Sequence, residues 1–203
     1  MKLAGIAPLL LVPMLMFATD ASAAPQTVTY KLRASAVGQS SDFTLDQGVD
    51  ASAPATVAPN GTLKVTIDPA PNKIPSEAGG RQVREIKGLA LKLPVPANST
   101  FQSASLSGGS GLGGTPTVAL QGNDVVLSVP GPIKGGADFE LPTVTINLQA
   151  GGTGTITTKL GGTSYDAPGL TFTAVVTVIG FPINAAAKGY PDPNPVLTTT
   201  TIG

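Results

Sequence analysis

The chain has 203 residues, with 12 basic and 12 acidic side chains and neither cysteine nor histidine. The lack of cysteine excludes disulfides and thiolate metal sites, and the lack of histidine excludes histidine-dependent triads, bases and metal sites. Only 12% of the residues are charged and the two signs balance, so the chain lacks the excess of basic residues that is typical of a nucleic-acid-binding protein.

The first 23 residues have the pattern of a secretory signal peptide. Lys2 is the only charge before an apolar run over residues 3–18, and the small residues Ala21 and Ala23 precede the expected cut. An uncleaved anchor is the alternative, but two prolines interrupt this run, and it is shorter than the roughly 20 residues of a spanning helix. We therefore expect cleavage after Ala23, an extracellular or cell-envelope location, and a mature chain without a transmembrane segment. Residues 24–203 show no compositional break, which predicts one domain.

Short runs of alternating apolar and polar residues recur along the mature chain, and each predicts a β-strand with one solvent-exposed face. The clearest is "TLKVTID" at 62–68. Similar runs cover 28–32, 89–93, 125–129, 144–148 and 170–178, with weaker ones in "FQSASLS", "TPTVAL", "GTITTKL" and the C-terminal "VLTTTTI". The expected core residues are Leu63, Val65, Ile67, Leu91, Val144, Ile146, Leu148, Phe172 and Val176.

Turn signals separate these runs. "QGND" at 121–124 predicts a tight hairpin turn, and Asn60 and Asn98, each within a glycosylation sequon, are interpreted as turn residues. Pro142 indicates an edge or a bulge at the start of the strand expected from residue 139 onward. The segment 76–88 is the one place where a short helical turn is expected.

About nine short strands separated by turns predict an all-β fold, most simply an antiparallel sandwich. No stretch has a convincing helical period. A chain of this length buries enough surface, roughly 70% of that of the unfolded chain, to be stable without disulfides.

The stretch "SGGSGLGGT" places Gly109, Gly111 and Gly114 in the spacing G-x-G-x-x-G of dinucleotide-binding loops. That fingerprint requires a helix after the glycines, whose N-terminus faces the pyrophosphate. Here strand alternation and a turn follow instead. We therefore expect a connector between two strands that binds no nucleotide. We also expect it to tolerate insertion and serine substitution, except at any glycine that has a positive φ.

Paired carboxylates are the remaining option for catalysis, because a glycosidase needs only two. The candidates are Asp42, Asp46 and Asp50, and the pair Asp138 and Glu140. Asp42, Asp46 and Asp50 lack the spacing of a calcium-binding loop. The chain has no tryptophan and only 4% aromatic residues, so it has few side chains on which the sugar rings of a glycosidase substrate could stack. We interpret all five as surface carboxylates and assign no catalytic, cofactor or metal residue.

One local basic cluster has acidic residues interspersed, which favours a solvated face over a polyanion site. It consists of Arg81, Arg84, Lys87 and Lys92, with Glu77 and Glu85 among them.

Three segments carry a resemblance to a known module. "APATVAPNGTLKVTIDP", "IKGLALKLPVPANSTFQSASLSGG" and "GGADFELPTVTINLQAGGTGTITTKL", within residues 53–160, resemble the Ig-like repeat of bacterial surface proteins. Over nearly its whole mature length the chain also resembles uncharacterised exported β-sandwich proteins of actinobacteria. The resemblance implies an extracytoplasmic Ig-like sandwich and supplies no catalytic residues. Such repeats usually occur in tandem, whereas this chain holds one enlarged copy.

Three functions are compatible with these features. We prefer a secreted or envelope-associated, non-enzymatic protein that contacts other envelope proteins or lipids through a sheet face, an edge or a loop. The second is a carrier that holds an apolar molecule, such as an envelope lipid, between splayed sheets, in line with the mean hydropathy of +0.24. The third is a two-carboxylate hydrolase.

Overall fold

The computed structural model describes residues 20–22 and 24–203. Most of the expected signal peptide, including Ala23 at its cleavage site, lies outside the described residues. The described part is all-β, as predicted, and contains no helix of a length and hydropathy that would span a membrane. Its strands are β1 (Asp20–Ser22), β2 (Gln26–Ala36), β3 (Gln39–Pro54), β4 (Thr56–Val57), β5 (Thr62–Pro69), β6 (Asn72–Lys73), β7 (Glu77–Ala78), β8 (Arg81–Pro94), β9 (Ser99–Ser107), β10 (Thr117–Gln121), β11 (Asp124–Val129), β12 (Ile133–Lys134), β13 (Asp138–Phe139), β14 (Thr143–Ala150), β15 (Gly154–Thr158), β16 (Leu170–Val178), β17 (Phe181–Pro191) and β18 (Thr198–Ile202).

One large sheet forms most of the fold. Its strands follow the order β10-β11-β8-β16-β17-β2-β3-β5-β14-β9, and every neighbouring pair on this path is antiparallel. The two terminal strands, β9 and β10, approach each other, so the sheet curls into a nearly closed cylinder. The right-handed twist of β-strands accounts for this curling in a sheet with ten strands on its main path.

This architecture differs from the expected Ig-like sandwich of about nine strands. The all-β class is confirmed, but the inner faces belong to one continuous curled sheet rather than to two separate sheets. The number of strands is larger because segments such as 39–54 and 181–191, which lack a clean apolar alternation, pair along their length with neighbouring strands.

The core lies inside the cylinder, and the residues that point into it are those expected from the alternation; this choice of inward-facing residues is called the strand phase. Leu63, Val65 and Ile67 are buried, and in the register of β5 with β14 they lie opposite Leu148, Ile146 and Val144, respectively. The remaining expected core residues are Leu91, which is buried, and Phe172 and Val176, which are half-buried and pack against the core.

Two turn predictions are confirmed and one is wrong. Residues 121–124 form the two-residue hairpin between β10 and β11, and Asn60 and Asn98 both adopt φ of 60° in turns. Segment 76–88 is not helical; Glu77 and Ala78 pair with the start of β8. Gly79 and Gly80, both at positive φ, form the turn between these strands.

Pro142 lies between β13 and β14, so it breaks the strand that was expected to run on from residue 139. Proline cannot donate to a β-ladder, and the break places its ring between the two strands.

The two ends of the cylinder differ. The turns at 37–38, 79–80 and 179–180 lie at one end, since β17 is antiparallel to β2 and β8 is antiparallel to β16. We call this the hairpin end. The small sheet of β15, β18 and β4 packs its buried side chains on the core at the opposite end.

Candidate functional site

The acidic residues of β3 do not form a site. Gln47, Val49 and Ala51 point inward, so Asp42, Asp46 and Asp50 lie along the outer face. Asp42 accepts two hydrogen bonds from Arg33, from Nε at 2.7 Å and from Nη2 at 2.8 Å. These bonds hold the pKa of the Asp42 carboxyl below its ordinary value and raise the pKa of the guanidinium.

The other acidic pair joins no larger acidic group. Asp138 is exposed, with an oxygen 3.6 Å from Lys73 Nζ, and Glu140 is half-buried, while Phe139 between them in sequence points into the core. Across residues 20–22 and 24–203 no group of three or more acidic side chains is close enough to hold a metal ion.

The basic residues are spread along β8. Arg81 and Lys92 are eleven positions apart, which corresponds to about 36 Å of extended strand. Lys92 Nζ lies 4.0 Å from Asp124, and Glu85 lies between the two ends of the series. The arrangement is an extended solvated row rather than a compact patch.

The glycine loop joins β9 to β10, as predicted, but it is packed rather than open. Ser110 and Glu140 exchange backbone hydrogen bonds of 3.0 and 2.9 Å, and Leu112 is buried. Gly109 and Gly111 have φ of +85° and +67°, and a Cβ at Gly111 would lie 2.5 Å from the carbonyl oxygen of Asp138.

A Cβ at Gly114 would likewise lie 2.8 Å from the ring of Pro130. Gly109 and Gly111 therefore fall under the exception made for positive φ, whereas the close contact at Gly114 contradicts the expected tolerance of serine there. The loop packs on the segments at 130–132 and 138–142 and is not a flexible crossing.

The hairpin end carries the most unusual surface of the described chain. Val37, Ile179 and Phe181 are 85%, 92% and 69% exposed, respectively, although large apolar side chains are normally buried. They belong to the β2–β3 hairpin and the β16–β17 hairpin, which are neighbours because β17 pairs with β2. Residues 177–185 of the second hairpin extend beyond its ladders with β8 and β2.

Both turns use residues that turns normally avoid. Ala36 pairs with Gln39 and Val178 with Phe181, which leaves two-residue turns at Val37–Gly38 and Ile179–Gly180. The φ of Val37 is 48° and that of Ile179 is 50°. Positive φ suits glycine and asparagine, and a β-branched residue there is a strained outlier. The sequence signal that marks these turns is the glycine that follows each apolar residue. Neither turn was predicted, because Val and Ile are not turn formers.

An apolar cavity of about 110 Å³ lies inside the cylinder on the hairpin side. Phe43 lines it and is 36% exposed, so the wall of the cavity reaches the surface at this side chain. The other lining residues are Leu32, Thr44, Leu45, Lys73, Ile74, Pro75, Ala78, Val83, Ile86, Leu89, Phe139, Leu170, Phe172 and Ala174. A smaller cavity of about 40 Å³ adjoins it and is lined in part by Tyr30, whose pKa burial raises.

The comparisons with known proteins establish the fold only. No protein-family model matches the chain, and no curated protein sequence does. A crystal structure described as that of a "putative membrane anchored protein" from Corynebacterium diphtheriae superposes on 91% of this chain with a TM-score of 0.52 and 16% identity. The aligned part is 38% of the length of that protein, so this chain spans well under half of it. At this identity the likeness extends to the all-β architecture and not to a function.

Proposed function

We propose that this chain is an exported, non-enzymatic protein of the cell envelope that works by contact with another envelope molecule through its hairpin end. The observation that carries the proposal is the exposure of Val37, Ile179 and Phe181 together at one end of the fold. Exposed apolar groups at one site mark interaction surfaces, whereas single scattered ones need no explanation.

Three further features support this proposal. The N-terminal pattern directs the chain out of the cytoplasm. The chain has no histidine or cysteine, and the candidate carboxylates Asp42 and Asp138 are exposed and lie beside Arg33 and Lys73, respectively. The resemblance to Ig-like surface modules is in line with a contact role, and the structural neighbour is itself described as membrane anchored.

Cell fractionation tests the proposal. We expect the wild-type chain, expressed with its own N-terminus in a bacterial host, to sediment with the envelope, and the double variant Val37→Asn/Ile179→Asn to appear in the medium. The matched control is Leu120→Asn/Val196→Asn, which removes two apolar side chains that are 43% and 42% exposed at the opposite end. The control should stay with the envelope.

The intact mass of the envelope-bound protein separates this mechanism from retention by the N-terminus. A mass that begins at Ala24 is expected. Retention of both double variants at the wild-type level, or a mass that still includes residues 1–23, would contradict contact through the hairpin end.

A second candidate function, carriage of an apolar molecule, is favoured by the apolar cavity. Its volume of about 110 Å³ is below the roughly 300–1,000 Å³ of typical ligand pockets, and an engineered cavity of about 150 Å³ binds molecules as small as benzene or xenon. A carrier would therefore have to open at the hairpin end to take more than a short apolar group. Native mass spectrometry of the exported protein tests this candidate: a bound apolar mass supports it, and a bare polypeptide mass contradicts it.

A further inference from the structure

We propose that the partner of the hairpin end is a lipid bilayer, into whose surface Val37, Ile179 and Phe181 insert. The inference rests on the proposed function and names the partner that the hairpin end would contact. Three observations carry it: the charge pattern of one hairpin, the order of polarity along the other, and the shape of the end as a whole.

The tip of the hairpin of β16 and β17 carries no charge that would oppose its entry into an apolar phase. Residues 170–187 include no charged side chain, whereas the flanking strands β8 and β2 both carry charges. Its backbone is paired from Leu170 opposite Gly189 to Val178 opposite Phe181. A charge in hydrocarbon is costly, and this hairpin brings none to the bilayer surface. The outer backbone edges of residues 177–185 lie beyond the ladders with β8 and β2, so insertion is limited to the tip at the polar surface layer of the bilayer.

The hairpin of β2 and β3 has its polarity ordered like a bilayer surface. Val37 is at the tip, and neutral polar side chains follow it on both strands, including Ser35 and Ser40, whose hydroxyls lie 2.8 Å apart. The first charges are Arg33 and Asp42, which bind each other. Arg33 is four residues from the tip, about 13 Å along the strand. Apolar, neutral and charged layers thus match hydrocarbon, headgroups and water, respectively.

The shape of this end fits a fluid surface better than a protein. The ladder between the two hairpins ends where Ala186 pairs with Ser35, so the apolar side chains stand on separate projections rather than on one flat patch. A protein interface requires a continuous complementary surface, whereas lipids rearrange around isolated projections. The strained turns at Val37 and Ile179 support the same conclusion, since stability of the fold alone would favour asparagine or glycine at these positions.

Vesicle binding tests the inference with purified exported protein. The probes are vesicles of phosphatidylcholine alone and of phosphatidylcholine with phosphatidylglycerol, at low and high salt. We expect the wild type to bind both, with little effect of salt, because the inserting residues are uncharged. Val37→Asn and Ile179→Asn should each lower the partition coefficient about tenfold, since burial of such a side chain is worth that order of affinity. Leu120→Asn/Val196→Asn should bind like the wild type.

Thermal unfolding distinguishes lost binding from lost folding. Asparagine is favoured at positive φ, so both tip variants should melt no lower than the wild type. All variants have the same N-terminus, so differences in vesicle binding among them are due to the substituted tip residues. The inference is overturned if the wild type binds neither vesicle, if the tip variants bind as well as the wild type, or if binding requires the anionic lipid and vanishes in salt. If fractionation nonetheless shows retention that depends on the tips, the envelope role stands and its partner is a protein or a glycan.

Discussion

Gly113→Ala is the sharpest test of the packed glycine loop, because the chain provides a matched control in Gly122→Ala. Gly113 has φ of +69° and Gly122 has φ of +63°, so an added side chain meets the same backbone penalty at both, about 1–2 kcal/mol. A Cβ at Gly122 would have no atom within 4 Å, whereas a Cβ at Gly113 would lie 1.9 Å from the carbonyl oxygen of Pro132. The difference between the two variants therefore isolates the clash.

The size of the effect follows from what must move. The obstructing atom belongs to the backbone, so no side-chain rotation relieves the contact, and the peptide beside the buried Leu112 must shift. Overpacking of this kind costs about 1–3 kcal/mol beyond the backbone penalty. We expect Gly113→Ala to lower the free energy of unfolding by about 2–5 kcal/mol and Gly122→Ala by about 1–2 kcal/mol. Urea unfolding followed by far-ultraviolet circular dichroism measures both; equal losses in the two variants would refute the packing argument.

The remaining predictions concern the core and a surface ion pair. Ile67→Asp places a charge among buried apolar side chains and should leave little folded protein, whereas Thr66→Asp on the outer half-buried face should keep a cooperative melt; similar melting of the two would disprove the strand phase. Asp42→Asn should lower stability slightly at neutral pH. The folded-state pKa of Asp42 is below its unfolded value, so its contribution is present above the unfolded pKa and is lost as the pH falls through the folded one. The difference between wild type and variant should therefore close in acid, and a gap that persists there would contradict the pairing of this carboxylate with Arg33.

Local alternation predicted the strands whose two faces differ in polarity. Segments 62–68 and 144–148 were placed correctly because period-two patterning is a property of adjacent residues and needs no knowledge of the partner strand. Strand β17 was missed because "FPINAAAKGY" contains alanine, glycine and proline, which have low β propensity. Its pairing with β16 and β2 outweighs that preference.

The sequence by itself determined the all-β class, the strand phase of the core, the hairpin at 121–124 and the absence of cysteine and histidine chemistry. The tertiary structure decided the features that depend on which strands meet. The approach of β9 to β10 nearly closes the sheet, and the close contacts with Asp138 and Pro132 make the glycine loop a packed segment. The grouping of Val37 with Ile179 follows from the ladder between β17 and β2. The two tips are more than a hundred positions apart in the sequence, and local patterning carries no information on such distant pairs.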